Sequence, residues 1–147
     1  MSSTSTITLD ELIEEFDFLG DWEARCDFLI DLGFELPKLP DEAKIEPNRV
    51  HGCQSSVWMI ASVQAGHSPA TVEFLANSDA MIVNGLIAVL MAIYNDKTPE
   101  EIIEIDAEKI FHRLELDRYL SPQRRNGLFG MVQRIRKFAV QAVVNQT

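Results

Sequence analysis

The chain has 147 residues and a formal net charge of −10, with 46% hydrophobic and 24% charged side chains. This length and ordinary globular composition predict a single domain over residues 1–147 that needs neither disulfides nor a metal to fold. The acidic balance argues against a nucleic-acid partner, because negative charge repels phosphate backbones.

The excess charge is confined to residues 1–47, which carry 13 acidic and 3 basic side chains, whereas residues 48–147 carry 10 of each. This acidic third either keeps the chain soluble or docks against a basic patch on a partner protein. No basic segment followed by an apolar run marks a secretory signal, and the most apolar stretch, residues 80–94, is too short to cross a bilayer. We therefore expect a cytoplasmic protein without membrane contact, whose two cysteines are free thiols.

Two helices are predicted at the start of the chain. Thr8 and Glu11 form the pattern of a capping box. The first helix then presents apolar residues at helical spacing, namely Leu12, Ile13, Phe16 and Leu19. The second begins after Asp21 and ends at Gly33. Its apolar stripe consists of Trp22, Cys26, Leu29 and Ile30.

Residues 35–49 interrupt the helical pattern. Pro37, Pro40 and Pro47 stand among charged residues, which disfavours both a helix and a central strand. The sequence predicts an extended surface connection here. Its length indicates either a function or packing across another element.

A β-hairpin is predicted next. Ser56 to Gln64 and Ala70 to Ala76 are rich in β-branched and aromatic residues and flank the turn sequence AGHSP. A third strand is predicted around Arg49 to His51.

The remaining segments are predicted to be helical. Ser78 and Asp79 are expected to cap a central buried helix that is apolar on almost all sides. Short helices follow Thr98 and Asp106, and a last helix opens at Ser121. Its apolar residues keep helical spacing: Leu128, Met131, Val132, Ile135, Phe138 and Ala142. The predicted fold class is α+β, a small antiparallel sheet of about three strands packed against several helices.

The two cysteines differ in their surroundings. Cys26 lies on an apolar helical stripe and is interpreted as structural, with a resolving thiol for Cys53 as the alternative. Cys53 stands between Gly52 and Gln54, two residues after His51. Glycine allows a sharp turn, and neighbouring cationic or hydrogen-bonding groups favour the reactive thiolate. The alternative is a core cysteine at the end of a strand.

A single reactive thiol limits the possible chemistry. The chain has no CxxC pair and no clustered histidines, and two cysteines are too few for an iron–sulfur scaffold. Two possibilities remain. Cys53 is an acyl-transfer nucleophile with His51 or His112 as its base, or it accepts sulfur from a donor persulfide by thiol exchange.

Three blocks of sequence resemble the SufE/CsdE family of sulfur acceptor proteins. They are NRVHGCQSSVW at 48–58, NSDAMIVNGLIAVLMAIYNDKTPEEI at 77–102 and LSPQRRNGLFGMVQRI at 120–135. The resemblance covers nearly the whole chain in the family's order. It implies a fold like that of the iron–sulfur scaffold protein and no bound cofactor. It also implies that Cys53 takes persulfide sulfur from a pyridoxal-phosphate-dependent cysteine desulfurase, stimulates its turnover and delivers sulfur to a downstream iron–sulfur scaffold or other acceptor.

The same resemblance suggests supporting residues around Cys53. Arg124 matches the arginine of the family's S-P-x-R segment and either stabilises a persulfide anion or is a solvated surface residue. Asp79 matches its S-D-A segment, and helix capping explains it. Gln54 and Ser55 either hydrogen-bond the sulfur or shape the loop. The first position of the motif varies in the family, so His51 is not assigned a catalytic role.

A carried persulfide needs shelter, because reductants and oxidants remove its sulfur. We therefore expect the Cys53 loop to rest in a partly apolar pocket and to swing outward when a partner docks. Two rival functions stay open: a cysteine hydrolase, and a desulfurase regulator that carries no sulfur.

Overall fold

The computed structural model describes residues 7–51, 55–64, 66 and 69–145. Its helices are α1 (Leu9–Leu19), α2 (Trp22–Phe34), α3 (Met81–Tyr94), α4 (Pro99–Glu104), α5 (Ala107–Arg113), α6 (Leu116–Tyr119) and α7 (Pro122–Asn145). The strands are β1 (Val57–Gln64) and β2 (Thr71–Ser78), and short 3₁₀ turns lie at Asp41–Ala43 and Glu46–Asn48. The predicted α+β class is confirmed.

The sheet is an antiparallel hairpin of β1 and β2, in which Val57 lies opposite Ser78 and Gln64 opposite Thr71. The third strand predicted around Arg49 is reduced, within the described residues, to one isolated bridge between Arg49 and Trp58. Among the described residues the sheet therefore has two strands and not the three that were expected. The 3₁₀ turn Glu46–Asn48 changes the direction of the chain just before the bridge.

Helix α3 forms the centre of the molecule, between α2 and the sheet. Its burial on almost all sides confirms the sequence prediction. The buried residues include Val83, Leu86, Ile87, Val89, Leu90, Ile93 and Tyr94. Each large side chain removed from water contributes on the order of 1.5–3 kcal/mol, so this helix supplies much of the hydrophobic stabilisation.

Helix α1 starts with the predicted capping box. The Glu11 amide donates to Thr8 Oγ1 over 3.1 Å, and the Thr8 amide donates to Glu11 Oε1 over 2.9 Å. The prediction for the end of α2 is wrong, since the helix continues through Phe34. Gly33 instead lies against α3, where a Cβ on it would come within 2.8 Å of the Gly85 amide nitrogen. Close approach of two helices, not helix termination, requires this glycine.

The apolar stripe predicted for α2 omits a buried cation, Arg25, which is only 6% exposed. Its Nε donates to the carbonyl of Phe16 over 2.9 Å, and its Nη1 pairs with Glu115 over 2.7 Å. The guanidinium also stacks over the Phe16 ring, 5.3 Å from its centroid. These contacts compensate the burial of charge and tie α2 to the junction of α5 and α6.

The segment of residues 35–49 packs across β2, as its length indicated. Within this segment, the side chains of Leu36 and Leu39 are buried. The side chain of Asn77 holds the segment there by accepting from the Leu39 amide and donating to the carbonyl of Pro37. The hydrogen bonds to Asn77 therefore fix the backbone at Pro37 and Leu39, ahead of residue 49.

Candidate functional site

The predicted acceptor Cys53 and its neighbours Gly52 and Gln54 lie outside the described residues. The structure describes the two ends of this segment, His51 on one side and Ser55 on the other. The site is therefore built from what holds these ends and from what lies beside them.

Helix α7 holds the end of this segment that precedes Cys53. Arg134 donates to the carbonyl of Arg49 over 2.9 Å and to that of Pro47 over 2.7 Å. Four residues earlier on the same helix is Gly130, where a Cβ would stand 3.3 Å from the carbonyl oxygen of His51. The absent side chain at Gly130 lets the backbone lie directly against the helix.

Asp79 holds the end of this segment that follows Cys53. The Ser56 amide donates to Asp79 Oδ1 over 3.1 Å, and the Asp79 amide donates to the carbonyl of Ser56 over 3.3 Å. The predicted capping role of Asp79 is wrong, because the N-cap of α3 is Ala80 and no side chain caps it. An amide at the entrance to β1 needs an acceptor, and this carboxylate supplies it.

Ser55 opens into a small pocket between α3 and α7 with a volume of about 30 Å³. This space suits one or two water-sized groups. Its polar lining comes from Ser55, Gln123 and Arg124. The rest is formed by Val83, Leu86, Gly127, Leu128 and Met131.

Arg124 is partly buried and lines this pocket together with Ser55. Its backbone amide donates to Ser121 Oγ over 3.2 Å, which confirms the predicted start of the last helix. Among the described residues its guanidinium has no hydrogen-bond or ion-pair partner, so the positive charge is available to an anion in the pocket. The structure thus brings together two of the residues that the sequence singled out, Ser55 and Arg124.

The histidines lie elsewhere. His51 is exposed, and its Nε2 lies 3.0 Å from Glu46 Oε2 in a pair too solvated to contribute much stability. His112 Nδ1 lies 2.8 Å from Asp117 Oδ2, and neither residue lines the pocket beside Ser55.

Cys26 is partly buried on α2. Burial raises the pKa of its thiol, and the carboxylates of Asp27 and Glu23 raise it further. A thiol held in the protonated form is a poor nucleophile, which is consistent with the predicted structural role.

Within the described part of the chain, no three His, Cys, Asp or Glu side chains cluster closely enough to hold a metal ion. The described helices are all too short or too polar to cross a bilayer.

Comparisons with known proteins agree on one family. Residues 10–139 match the family model described as "SufE: Fe-S metabolism associated domain". An uncharacterized SufE-like protein of Rhizobium meliloti is 40% identical over 132 residues, 90% of this chain and 94% of the relative. A second one, from Rhizobium etli, is 42% identical over 132 residues, covering 90% of this chain and 89% of the relative.

A solved structure shares the fold. The solution structure of a hypothetical protein from Thermus thermophilus superposes with a TM-score of 0.73 at 23% identity, covering 92% of this chain and 96% of that one. At this identity the likeness concerns the fold alone.

Proposed function

Because the chain belongs to the SufE family, and so to iron–sulfur metabolism, we propose that Cys53 is the sulfur acceptor of a cysteine desulfurase. The protein takes persulfide sulfur from a pyridoxal-phosphate-dependent enzyme in the cytoplasm and stimulates its turnover. It then delivers the sulfur to an iron–sulfur scaffold or another acceptor. The observation that carries the proposal is the pocket shared by Ser55, two residues beyond Cys53 in the sequence, and Arg124.

Two balanced exchanges account for the transfer. The Cys53 thiolate attacks the outer sulfur of the donor persulfide, a new S–S bond forms, and the donor's own S–S bond breaks to release its thiolate. Cys53 then carries a persulfide. A thiolate on the acceptor attacks that outer sulfur in the same manner, and Cys53 leaves as a thiolate. The sulfur changes hands without an added oxidant or reductant.

The charge of Arg124 supports both steps. Thiolate and persulfide are anionic, and a partly buried guanidinium without a competing carboxylate among the described residues stabilises them more than a solvated one does. Val83, Leu86 and Met131 supply apolar walls to the same space, which reduce its contact with bulk water. Apolar surroundings alone disfavour a charged sulfur, so the charge of Arg124 is what stabilises the anion, while the apolar walls limit the access of reductants to it.

The anchors on either side suit this role. Arg134 and Asp79 bind the backbone at residues 49 and 56, which fixes both described ends of the segment that contains Cys53. In the proposed transfer the sulfur alternates between shelter and a docked partner while these ends stay in place.

The hydrolase alternative receives less support. A cysteine hydrolase needs a histidine base held against the thiol. His51 is exposed and paired with Glu46, and His112 is paired with Asp117 away from the pocket. A regulator that carries no sulfur remains distinguishable by experiment.

Mass spectrometry after incubation with the desulfurase and cysteine tests the proposal. The wild type and Cys26→Ser should each gain the mass of one sulfur atom, and Cys53→Ser should gain none. Desulfurase stimulation that Cys53→Ala retains in full would identify a regulator instead.

The role of Arg124 has its own test. Arg124→Gln should slow sulfur loading about tenfold, the loss expected for one charge-assisted interaction. Arg118→Gln is the matched control, because Arg118 is exposed and contacts Glu115 rather than the pocket. Equal loading rates in the two variants would remove Arg124 from the site.

A further inference from the structure

The two edges of the hairpin are closed to different degrees. On the outer edge of β2, Val72 exchanges backbone hydrogen bonds with Asp96 and Lys97, at 3.1 and 2.8 Å. Farther along, side-chain amides replace a strand. Asn95 accepts from the Phe74 amide over 2.7 Å, and Asn84 accepts from the Ser78 amide over 2.8 Å.

The outer edge of β1 is only half covered. In an antiparallel pair the backbone groups of alternate residues point to opposite sides. The carbonyl of Val57 accepts from the Val50 amide on the outer side over 2.8 Å, so Ala61 and Val63 direct their N–H and C=O groups to that side as well. Within the described residues, no partner bonds the outward groups of Ala61 and Val63.

A cavity of about 280 Å³ lies beside this open part of the edge. Its walls are the β1 residues Met59, Ile60 and Ala61, the paired rings of Phe74 and Phe138, and two polar residues, Asn48 and Arg134. A hollow with mainly apolar walls directly beside unpaired backbone groups is the combination that a bound extended peptide uses, with main-chain hydrogen bonds along the edge and one side chain in the hollow.

No charged side chain protects the edge of β1 from pairing with another strand. Strands that must stay unpaired usually carry lysine or another charge, and Val57–Gln64 contains no charged residue. A two-fold pairing with a second copy that is centred on Ala61 fits poorly, because it sets Val63 opposite Met59. Asn48 already lies beside Met59, where Arg49 bridges Trp58.

We propose that the open half of the β1 edge binds an extended segment of a partner protein by strand addition. The segment places an aromatic or branched aliphatic side chain between Phe74 and Phe138. It occupies the position of the third strand, of which this chain supplies only the start at Arg49 and Val50.

The probe is a set of acetylated heptapeptides, Lys-Thr-Val-X-Val-Thr-Lys amide, in which X is Phe, Leu, Gly or Asp. Nuclear magnetic resonance on the full chain should show saturable shifts and slowed exchange at the amides of Ala61 and Val63. The Phe and Leu peptides should bind about tenfold tighter than the Gly peptide, from burial of one apolar side chain.

Edge variants complete the test. Ala61→Pro and Val63→Pro each delete one outward N–H without removing a bond of the β1–β2 ladder, and each should weaken binding about tenfold or more. Ser62→Thr, whose backbone groups face β2, is the control and should bind as the wild type does. Thermal unfolding of each variant verifies that it is folded.

Several results would overturn the proposal. They are no saturable binding by any peptide, binding without change at the Ala61 and Val63 amides, and proline variants that bind as tightly as the wild type. A dimer in sedimentation equilibrium that Ala61→Pro dissociates would replace the partner segment with a second copy.

Discussion

Two backbone approaches that depend on glycine show how differently the core and the candidate site are built. At the crossing of α2 and α3, a Cβ on Gly85 would overlap the carbonyl oxygen of Leu29. Where α7 meets the candidate site, a Cβ on Gly130 would lie 3.3 Å from the carbonyl oxygen of His51. The first contact joins two helices that cannot separate without opening the core. The second presses a helix against an exposed turn.

The two contacts should therefore serve different purposes: the one in the core stabilises the fold, and the one at the site supports function. The core contact leaves no space for adjustment, so changes there should unfold the protein. At the site, the carbonyl of His51 would need to move by only a few tenths of an ångström to admit a Cβ on Gly130, and polar anchors hold the rest of the segment. Changes there should alter sulfur loading more than folding.

The largest expected effect is the loss of stability in Gly85→Ala. The added methyl overlaps the Leu29 backbone and forces α2 away from α3, which should cost about 3 kcal/mol of unfolding free energy or more. Urea denaturation measures it. Gly130→Ala is the matched control, since helix propensity gained on α7 offsets the tighter contact with His51, and stability should change by less than about 1 kcal/mol. Comparable losses in the two variants would abolish the contrast between core and site.

A smaller effect on stability, with a larger one on function, is expected for Arg134→Gln. The variant loses the hydrogen bonds to the carbonyls of Arg49 and Pro47 at a partly exposed position, a cost of about 1–2 kcal/mol. Freed from α7, the end of the segment that precedes Cys53 should also load sulfur more slowly. Loading is followed by mass spectrometry in the presence of the desulfurase.

Arg136→Gln is the control for that variant. Arg136 lies on the same helix and donates to the carbonyl of Ile103 over 2.7 Å, away from the candidate site. It should lose similar stability and keep the wild-type loading rate. If the two variants load sulfur at the same rate, the anchor at Arg49 has no functional role.

The smallest effect concerns pH. Hydrogen bonding from Arg25, helped by the charge of Arg118, holds the pKa of Glu115 below its usual value of 4.5. A carboxyl with a lowered pKa in the folded state stabilises the protein above its unfolded pKa, and this contribution is lost as the pH falls through the folded pKa. The stability difference between the wild type and Glu115→Gln should therefore be present near neutral pH and vanish in acid.

Urea denaturation across that pH range measures this difference. Glu14→Gln serves as the control, because Glu14 is an exposed residue of α1 without an ion pair among the described residues. A pH-independent difference for Glu115→Gln would show that its pairing with Arg25 does not depend on the charge of the carboxylate.

Most of the local elements, and the residues at which several of them begin, follow from the sequence alone, whereas the short helix α6 was not predicted. The capping box of Thr8 and Glu11, the apolar character of α3 on almost all sides and the apolar periodicity of α7 act between residues close in the chain, and all were predicted correctly. The three sequence blocks that resemble a known family were enough to indicate iron–sulfur metabolism, because they follow the family's order over nearly the whole chain.

Tertiary structure decided the contacts between distant segments. Gly33 belongs to a helix crossing rather than a helix end, and Asp79 binds the Ser56 amide rather than the start of α3. Arg25 is buried because Phe16 and Glu115, the latter 90 residues away, accept hydrogen bonds from its guanidinium. Period and propensity describe one helix or strand at a time. They carry no information on which backbone will come close enough to require a glycine, a carboxylate or a buried cation.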